Sequence, residues 1–375
     1  MNPNPLLGVG LHWLGGLASG SFYLPFRGMQ RWSWETGWLV AGVFSWIIAP
    51  WTFALLNTRD VVAVLCETSG RTWLWTSCFG ALWGLGGLTF GLTMRYLGMS
   101  LGMAVALGYC TVFGTLVPPL FEGRFQSAML DAANGRWVLV GLVVCVLGIV
   151  VTAAAGGAKD RELTADDKRA TVREFDFKKG MLVAAFSGIM SACFAFGLAA
   201  GSEISGISRA HGTAELWTGL PVLIVVLLGG FATNFIWCAI LNLRNGTGHE
   251  YFRVAPANPA LASAGQAAAD AGPPAWPGGL ICNYCLAAVA GVTWYFQFFF
   301  YSMGETQMGA YKFSSWTLHM ASIIIFSSIW GLVLGEWQGA SGRTRRLLFA
   351  GLAILVLSTL IVGYGNSLGG DIRPE

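Results

Sequence analysis

Residues 137–156 read WVLVGLVVCVLGIVVTAAAG, a run of apolar and small residues without a single charge. As a helix this run would extend about 30 Å, which matches the hydrocarbon thickness of a bilayer. Because no water reaches that depth, the backbone must satisfy its own hydrogen bonds, and a helix does so within one segment. The stretch therefore predicts a membrane-spanning helix.

Further stretches of the chain share this length and this lack of charge. Together they predict ten spans, at 5–26, 35–57, 73–94, 98–121, 136–156, 180–201, 215–242, 279–302, 308–335 and 346–366. The composition agrees, because only 11% of the residues are charged, whereas a soluble domain carries about a quarter. We therefore expect an all-α polytopic membrane protein that moves something across the membrane or senses at it.

The basic residues predict the orientation. Fifteen of the 22 Lys and Arg residues fall in the loops after spans 1, 3, 5, 7 and 9, and six fall in the other loops. Cytoplasmic loops carry the excess of positive charge in membrane proteins. We therefore expect the odd-numbered loops in the cytoplasm and both termini in the periplasm.

The charged segment 158–179 divides the spans five and five, and we interpret it as a cytoplasmic linker. Residues 1–157 would then form a first five-helix repeat and residues 180–368 a second, with an Ala/Pro/Gly-rich loop at 243–278. Because five is odd, two such repeats would have opposite topology in the membrane, as in many secondary transporters.

Several function classes lack the motifs they would need. The net charge of +3 does not favour a nucleic-acid partner. Cys282 and Cys285 form a lone CxxC, which gives no tetrahedral metal site, and no Walker A motif is present. A membrane-embedded enzyme such as a lipid-linked transferase would need paired carboxylates or a metal cluster at the membrane boundary, and we find none. We expect no catalytic site, no metal and no cofactor.

Three titratable residues are candidates for proton coupling. His12 and His319 lie within spans 1 and 9, and Glu35 opens span 2, whereas no Asp or Glu falls in the middle of a span. Imidazole gains and loses protons near neutral pH, and buried ionisable groups in membranes commonly mark ion pathways. The structural alternative is that the histidines bridge helices by hydrogen bonds and that Glu35 complements a helix dipole.

An aromatic and polar cluster in spans 8 and 9 is the candidate substrate site. Trp294, Gln297 and Tyr301 share one helix face, and Trp316 lies in the next span. With Asn234 of span 7, these side chains suit a sugar, whose C–H face packs on rings while its hydroxyls need polar partners. The alternatives are aromatic rings facing lipid and amides joining helices.

Several uninterrupted segments resemble one known family, the bacterial L-rhamnose–proton symporters. The clearest are Arg31-Trp32-Ser33-Trp34-Glu35-Thr36 and the run from Gly91 to Ser100. The resemblance continues at residues 22–26, 294–301, 315–320 and 331–337. Residues 304–307 depart from the family pattern and the 243–278 loop is longer, so the identity of the sugar stays open.

The resemblance implies a carrier of the drug/metabolite transporter superfamily, with ten helices in two inverted repeats. It also implies import of L-rhamnose, or of a related deoxy sugar or pentose, by symport with protons across a bacterial inner membrane. His12, Gln297, Trp316 and His319 fall in segments that match the family. The alternative is a metabolite exporter or a nucleotide-sugar-type exchanger of the same fold.

Overall fold

A computed structural model describes residues 4–97, 99–121, 123–162, 177–253, 279–309, 314–335 and 337–368. Within these ranges the secondary structure is helical and contains no β-strand. The α-helices are α1 Pro5–Ser21, α2 Trp34–Val43, α3 Ala49–Asn57, α4 Val61–Glu67, α5 Gly70–Leu97, α6 Met99–Phe121, α7 Ala133–Glu162, α8 Phe177–Ala200, α9 Ser202–Ala210, α10 Leu220–Asn245, α11 Gly279–Thr306, α12 Ser314–Val333 and α13 Gly342–Ser367. Short 3₁₀ turns cover Pro25–Gly28, Glu215–Trp217 and Thr247–Tyr251, and π-helical turns cover Phe44–Ile48 and Gln126–Asp131.

Seven helical segments of the described chain are long and apolar enough to cross a membrane. They are Trp34–Asn57, Ala133–Lys159, Lys178–Ala210, Glu215–Asn245, Gly279–Thr306, Ser314–Val333 and Gly342–Ser367. This result confirms the prediction of an all-α polytopic membrane protein. The remaining predicted spans coincide with α1, α5 and α6.

Two helices continue beyond the predicted ends of their spans. Helix α7 extends to Glu162, beyond the predicted start of the charged linker, and residues 163–176 lie outside the described part. Helix α10 ends at Asn245, where Gly246 adopts a left-handed φ of 67° that ends a helix without strain. The 3₁₀ turn that follows occupies the start of the predicted loop, of which residues 254–278 are not described.

Helices α2 and α3 form one continuous unit, which we call the α2–α3 unit, joined by the π-helical turn. Pro50 has no N–H, so it donates no helical hydrogen bond to the carbonyl of Trp46. The helix is wider at this turn, because the N–H of Ala49 donates to the carbonyl of Phe44, five residues earlier. Trp46, at the centre of this turn, is buried against other aromatic rings.

The segments that connect the helices are joined by hydrogen bonds, and these bonds form two groups, one at each end of the bundle. At the first end, which we call the Asn4 end, the N–H of Asn4 donates to the Gln307 amide oxygen at 3.3 Å. There the N–H of Arg59 also donates to the Thr213 hydroxyl at 3.1 Å. The chain start, the α3–α4 connection, the α9–α10 connection and the end of α11 therefore lie together.

At the second end, which we call the Glu162 end, a different set of connections meets. The N–H of Gln30 donates to the Asn283 amide oxygen at 2.9 Å, which joins the end of α1 to the start of α11. Glu162, which ends α7, accepts a hydrogen bond of 2.6 Å from the Ser341 hydroxyl at the start of α13.

A repeated motif holds helix starts to neighbouring helices. The tetrapeptide Ser-Gly-Arg-Thr occurs at 69–72 and again at 341–344, where it begins α5 and α13. In each copy the serine N–H and hydroxyl and the threonine hydroxyl donate to one carboxylate, that of Glu203 or Glu162. We call this arrangement the Ser–Thr clasp. Because the carboxylate sits at a helix N-terminus, the helix dipole adds to these hydrogen bonds.

The packing of the helices defines the bundle. Helix α1 packs between α11 and α12, helix α8 packs between α5 and α6, and α7 pairs with α13. Helix α10 packs against α5 and against the α2–α3 unit. The largest buried cluster lies among α2, α8, α10, α11 and α12 and is rich in Trp and Phe.

Candidate functional site

A cavity of about 450 Å³ lies at the Asn4 end, within the size range of small-molecule sites. Helices α6, α8, α9, α11 and α12 contribute its walls. Tyr301 and Trp316 are its buried aromatic residues, whereas Arg124, Ser202 and Arg209 are exposed. The exposed residues make the cavity accessible from the Asn4 end, and the two aromatic rings lie on its inner side.

Backbone chemistry adds hydrogen-bond acceptors to this cavity. Pro118 and Pro119 lie inside the last turns of α6 and both line the cavity, as does Gly114. Because Pro118 has no N–H, the carbonyl of Gly114 receives no helical hydrogen bond from it. A bound hydroxyl compound could donate to such a carbonyl.

Two histidines meet behind Tyr301. The ring centroids of His12 and His319 each lie 5.2 Å from that of Tyr301, and they lie 6.3 Å from each other. Both rings are buried. Neither nitrogen of His12, nor Nδ1 of His319, has a hydrogen-bond partner among the described residues. Because buried polar atoms are normally paired, these nitrogens are available to a proton or a water molecule.

Two glycines allow the helices to approach closely enough for this arrangement. A Cβ atom on Gly304 would lie 2.8 Å from Cε1 of His12, and one on Gly15 would lie 3.1 Å from Cε1 of His319. The Ser322 hydroxyl bonds to the carbonyls of both histidines, at 3.0 and 2.7 Å. Helices α1, α11 and α12 are thus held together at the histidine pair.

Trp316 is oriented by two contacts. Its indole N–H donates to the carbonyl of Cys110 at 2.8 Å, and its ring is stacked against Phe194 at 6.2 Å. Tyr301 lies edge-on to it at 5.7 Å. Two of the five predicted sugar-binding residues, Tyr301 and Trp316, therefore line one cavity. Lys312, one turn before Trp316, lies outside the described residues.

The other three predicted sugar-binding residues lie deeper in the bundle. Trp294 packs in an aromatic cluster, 4.7 Å from Phe22 and 4.9 Å from Trp38. The Asn234 amide accepts from the Trp38 indole at 3.0 Å and donates to the Gly230 carbonyl at 2.8 Å, so both its groups are paired. Gln297 is buried where α11 meets α1. None of the three lines the cavity.

Glu35 lies at the other end of the molecule. Its carboxylate accepts from the Asn245 amide at 2.9 Å and from the Thr247 hydroxyl at 3.1 Å. Asn245 ends α10, a helix of 26 residues, so it lies about 38 Å along the helix from its start. The start of α10 is the cavity side, because Gly219 packs against Ser302, next to Tyr301. The structure therefore separates Glu35 from the two histidines.

Sequence reasoning missed several cavity residues. Arg124, Ser202, Ser205, Arg209 and Glu305 line the cavity although none was a candidate. A signal existed for Glu305, which continues the helix face of Trp294 and Tyr301 at the next turn. Span 8 was predicted to end at residue 302, which left Glu305 outside it, whereas α11 continues to Thr306.

Apolar helices long enough to cross a bilayer, with a cavity between them, define a multi-pass helical membrane protein. The chain can also be placed within that class. It belongs to the L-rhamnose-proton symport protein family, whose sequence profile matches residues 1–368.

Curated relatives match over nearly their full length. The L-rhamnose-proton symporter of Citrobacter koseri is 34% identical over 362 residues, which cover 96% of this chain and 97% of that protein. The proteins of the same name from Mannheimia succiniciproducens and Yersinia pestis are also 34% identical, and each alignment covers 97% of this chain and 99% of the relative. A solved crystal structure, 14% identical, aligns over 94% of this chain and 95% of its own at a TM-score of 0.48.

Proposed function

We propose that this protein is a secondary active transporter, and not an enzyme, that imports L-rhamnose by symport with protons. A related deoxy sugar or pentose would use the same chemistry. Membership of the symport family supports the proposal. The observation that carries it is the cavity itself, in which Tyr301 and Trp316 line the inner side while His12 and His319 lie behind Tyr301.

The proposal gives the sugar contacts to Trp316 and Tyr301, with the exposed polar residues of the cavity binding hydroxyl groups. Trp294, Gln297 and Asn234 would meet the sugar only after it moves deeper during transport. His12 and His319 would carry the proton, since both are buried beside the cavity and have nitrogens without partners. Glu35 would bind a proton only in a state open to the Glu162 end.

We also propose that the chain crosses the membrane ten times. The crossings form two inverted five-helix repeats, the first at 1–157 and the second at 180–368. The packing supports it, because a contact between two helices recurs between the helices at the equivalent positions of the other repeat. Contacts of α1 with α11 and α12 correspond to those of α8 with α5 and α6. The contact of α5 with α10 corresponds to that of α11 with α2, and α7 with α13 corresponds to itself.

The two groups of connections also support ten crossings, because successive connections alternate between the Asn4 end and the Glu162 end. The excess of basic residues after the odd-numbered spans then puts the Glu162 end in the cytoplasm of a bacterial inner membrane, with both termini periplasmic. In this orientation the cavity faces outward. Hydrogen bonds of Gln30 with Asn283, and of Ser33 with Glu250 at 2.7 Å, close the inner end.

Transport would proceed by alternating access, as in the drug/metabolite transporter superfamily. Sugar and proton together would favour closure of the outer cavity and opening of the inner end. A ligand shifts such an equilibrium only by its different affinity for the two states. Symport therefore requires that the carrier loaded with both reorients readily, whereas the carrier loaded with a proton alone does not.

Uptake into proteoliposomes tests the function. We expect purified protein to accumulate labelled L-rhamnose when the outside is acidic. For one proton, the limit is about tenfold accumulation per pH unit. An ionophore that collapses the gradient should remove accumulation but leave exchange of labelled for unlabelled sugar. Equilibration without gradient-driven accumulation would instead favour an exporter or exchanger of the same fold, and absence of any sugar movement would refute sugar transport.

A further inference from the structure

Glu305 is the only carboxylate among the described residues that line the cavity. It lies in the last turn of α11, four residues after Tyr301, so the two side chains lie on one face of the helix. Tyr301 in turn contacts His12 and His319. Tyr301 thus lies between the cavity, which the carboxylate lines, and the histidine pair.

The two histidines cannot exchange protons with the outer solution directly. Their rings are 0% and 3% exposed, and neither of them lines the cavity. Tyr301 lies between them and the cavity space. A proton that enters from the cavity therefore first needs an acceptor on the cavity side, and Glu305 is the lining residue there that can take one up.

The surroundings of Glu305 make its charge sensitive to closure of the cavity. In the open cavity, water and the neighbouring Arg124 favour the carboxylate. Arg209 lines the same cavity but is paired with Glu215 at 2.6 Å. Tyr301 is the other titratable residue of the described lining, and His12 and His319 contact its ring. When the cavity closes over a sugar, water is lost, and an ionised carboxylate becomes much more costly than the neutral acid.

We propose that Glu305 is the outer proton-binding group, and that its protonation couples proton uptake to sugar binding and closure. This assignment rests on the proposed symport function. One proton from the outer solution converts the carboxylate to the acid, whose O–H can then donate to a sugar oxygen. When the cavity reopens on the inner side, the acid gives this proton up to the histidine pair, which releases it to the inner solution, so each group is unchanged after a cycle.

The pH dependence of rhamnose binding to purified protein, read by tryptophan fluorescence or calorimetry, tests the assignment. In wild type we expect the Kd to rise by up to about tenfold per pH unit above the titration of the group, the limit for one coupled proton. Glu305→Gln mimics the neutral acid. It should bind with the same Kd at all pH values, exchange labelled sugar, and fail to accumulate it under a pH gradient.

Two further variants keep the result interpretable. Glu305→Asp retains a titratable carboxyl, so its binding should remain pH-dependent, and a flat response would overturn the assignment. Asp131→Asn removes an exposed carboxylate outside the cavity lining and should behave as wild type. If wild type accumulates rhamnose and Glu305→Gln keeps the wild-type pH dependence, Glu305 is not the proton site. If wild type moves no sugar, the proposed function fails, and the assignment fails with it.

Discussion

His12 is the residue whose environment is hardest to explain by packing alone. Its ring is fully buried, yet neither nitrogen has a hydrogen-bond partner among the described residues. A buried polar group without a partner lowers stability by about 1–3 kcal/mol. A histidine kept only for packing would be better replaced by an apolar residue, so the unpaired nitrogens favour a role in transport.

This reasoning predicts that His12→Leu separates stability from function. Because no hydrogen bond is lost, we expect the apparent Tm in detergent to equal or exceed that of wild type. Gradient-driven accumulation of rhamnose should be lost, so that internal and external concentrations become about equal. His249→Gln, an exposed histidine at the Glu162 end, is the control and should accumulate normally. A drop in Tm together with retained accumulation would assign His12 to packing.

Close approach of helices at Gly304 gives a second residue-scale prediction. A methyl group there would lie 2.8 Å from the His12 ring, which is nearer than ordinary contact. Gly304→Ala should therefore displace the ring and reduce the initial rate of uptake by about tenfold or more, the effect of roughly 1.4 kcal/mol on the rate-limiting step. Gly10→Ala, on the same helix as His12 but with open space around it, should leave the rate unchanged.

At the scale of elements, the Ser–Thr clasps connect helices that are distant in sequence. The clasp at Ser341 joins the start of α13 to the end of α7, and the one at Ser69 joins α5 to α9. Hydrogen bonds from Ser341 and Thr344 hold the pKa of Glu162 below its usual value. A carboxyl whose pKa is lower in the folded state stabilises the fold at neutral pH, and this contribution is lost as the pH falls through the lowered pKa.

Ser341→Ala tests this clasp. Loss of the helix cap should cost about 1 kcal/mol, seen as a lower apparent Tm at neutral pH. The difference from wild type should shrink in acid, where Glu162 is protonated in both proteins. Ser367→Ala removes a hydroxyl that bonds only within α13 and serves as the control. A difference that persists unchanged in strong acid would show that Glu162 does not contribute through its charge.

The elements could be predicted more completely than the site. Every predicted span overlaps a helix, because a desolvated backbone needs one continuous apolar run. Helix ends were less accurate, since α7 and α11 continue through charged residues that a hydropathy pattern excludes. The meeting of His12 with His319 could not be predicted, because it depends on how closely α1 approaches α11 and α12. Glu305 was missed for the related reason that its helix was taken to end too early.

At the scale of the whole molecule, two native cysteines can report on the topology. Cys66 is exposed beside Glu67, which contacts His211 at the Asn4 end. Cys282 is exposed beside Asn283 at the Glu162 end. The proposed orientation therefore puts these two thiols on opposite sides of the membrane, with Cys66 outside.

Variants that retain only Cys66 or only Cys282 test this arrangement. A membrane-impermeant maleimide added to right-side-out vesicles should label Cys66 and leave Cys282 unlabelled, and inverted vesicles should give the opposite pattern. Permeabilised vesicles are the control, since both thiols should then react. Labelling of both from the same side would exclude an odd number of crossings between them, and an exchanged pattern would reverse the orientation.

The π-helical turn at Trp46, with Pro50 directly after it, distinguishes the two proposed repeats. Under that repeat α2–α3 corresponds to α10, but the proline of α10, Pro221, lies in its first turn, where no helical hydrogen bond is lost. Only the α2–α3 unit therefore lacks a backbone hydrogen bond in its middle, at Pro50. Bending at Pro50 disrupts fewer backbone hydrogen bonds than bending in the middle of α10 would. Two repeats of the same topology can therefore differ in stiffness, and the α2–α3 unit should bend more easily than α10.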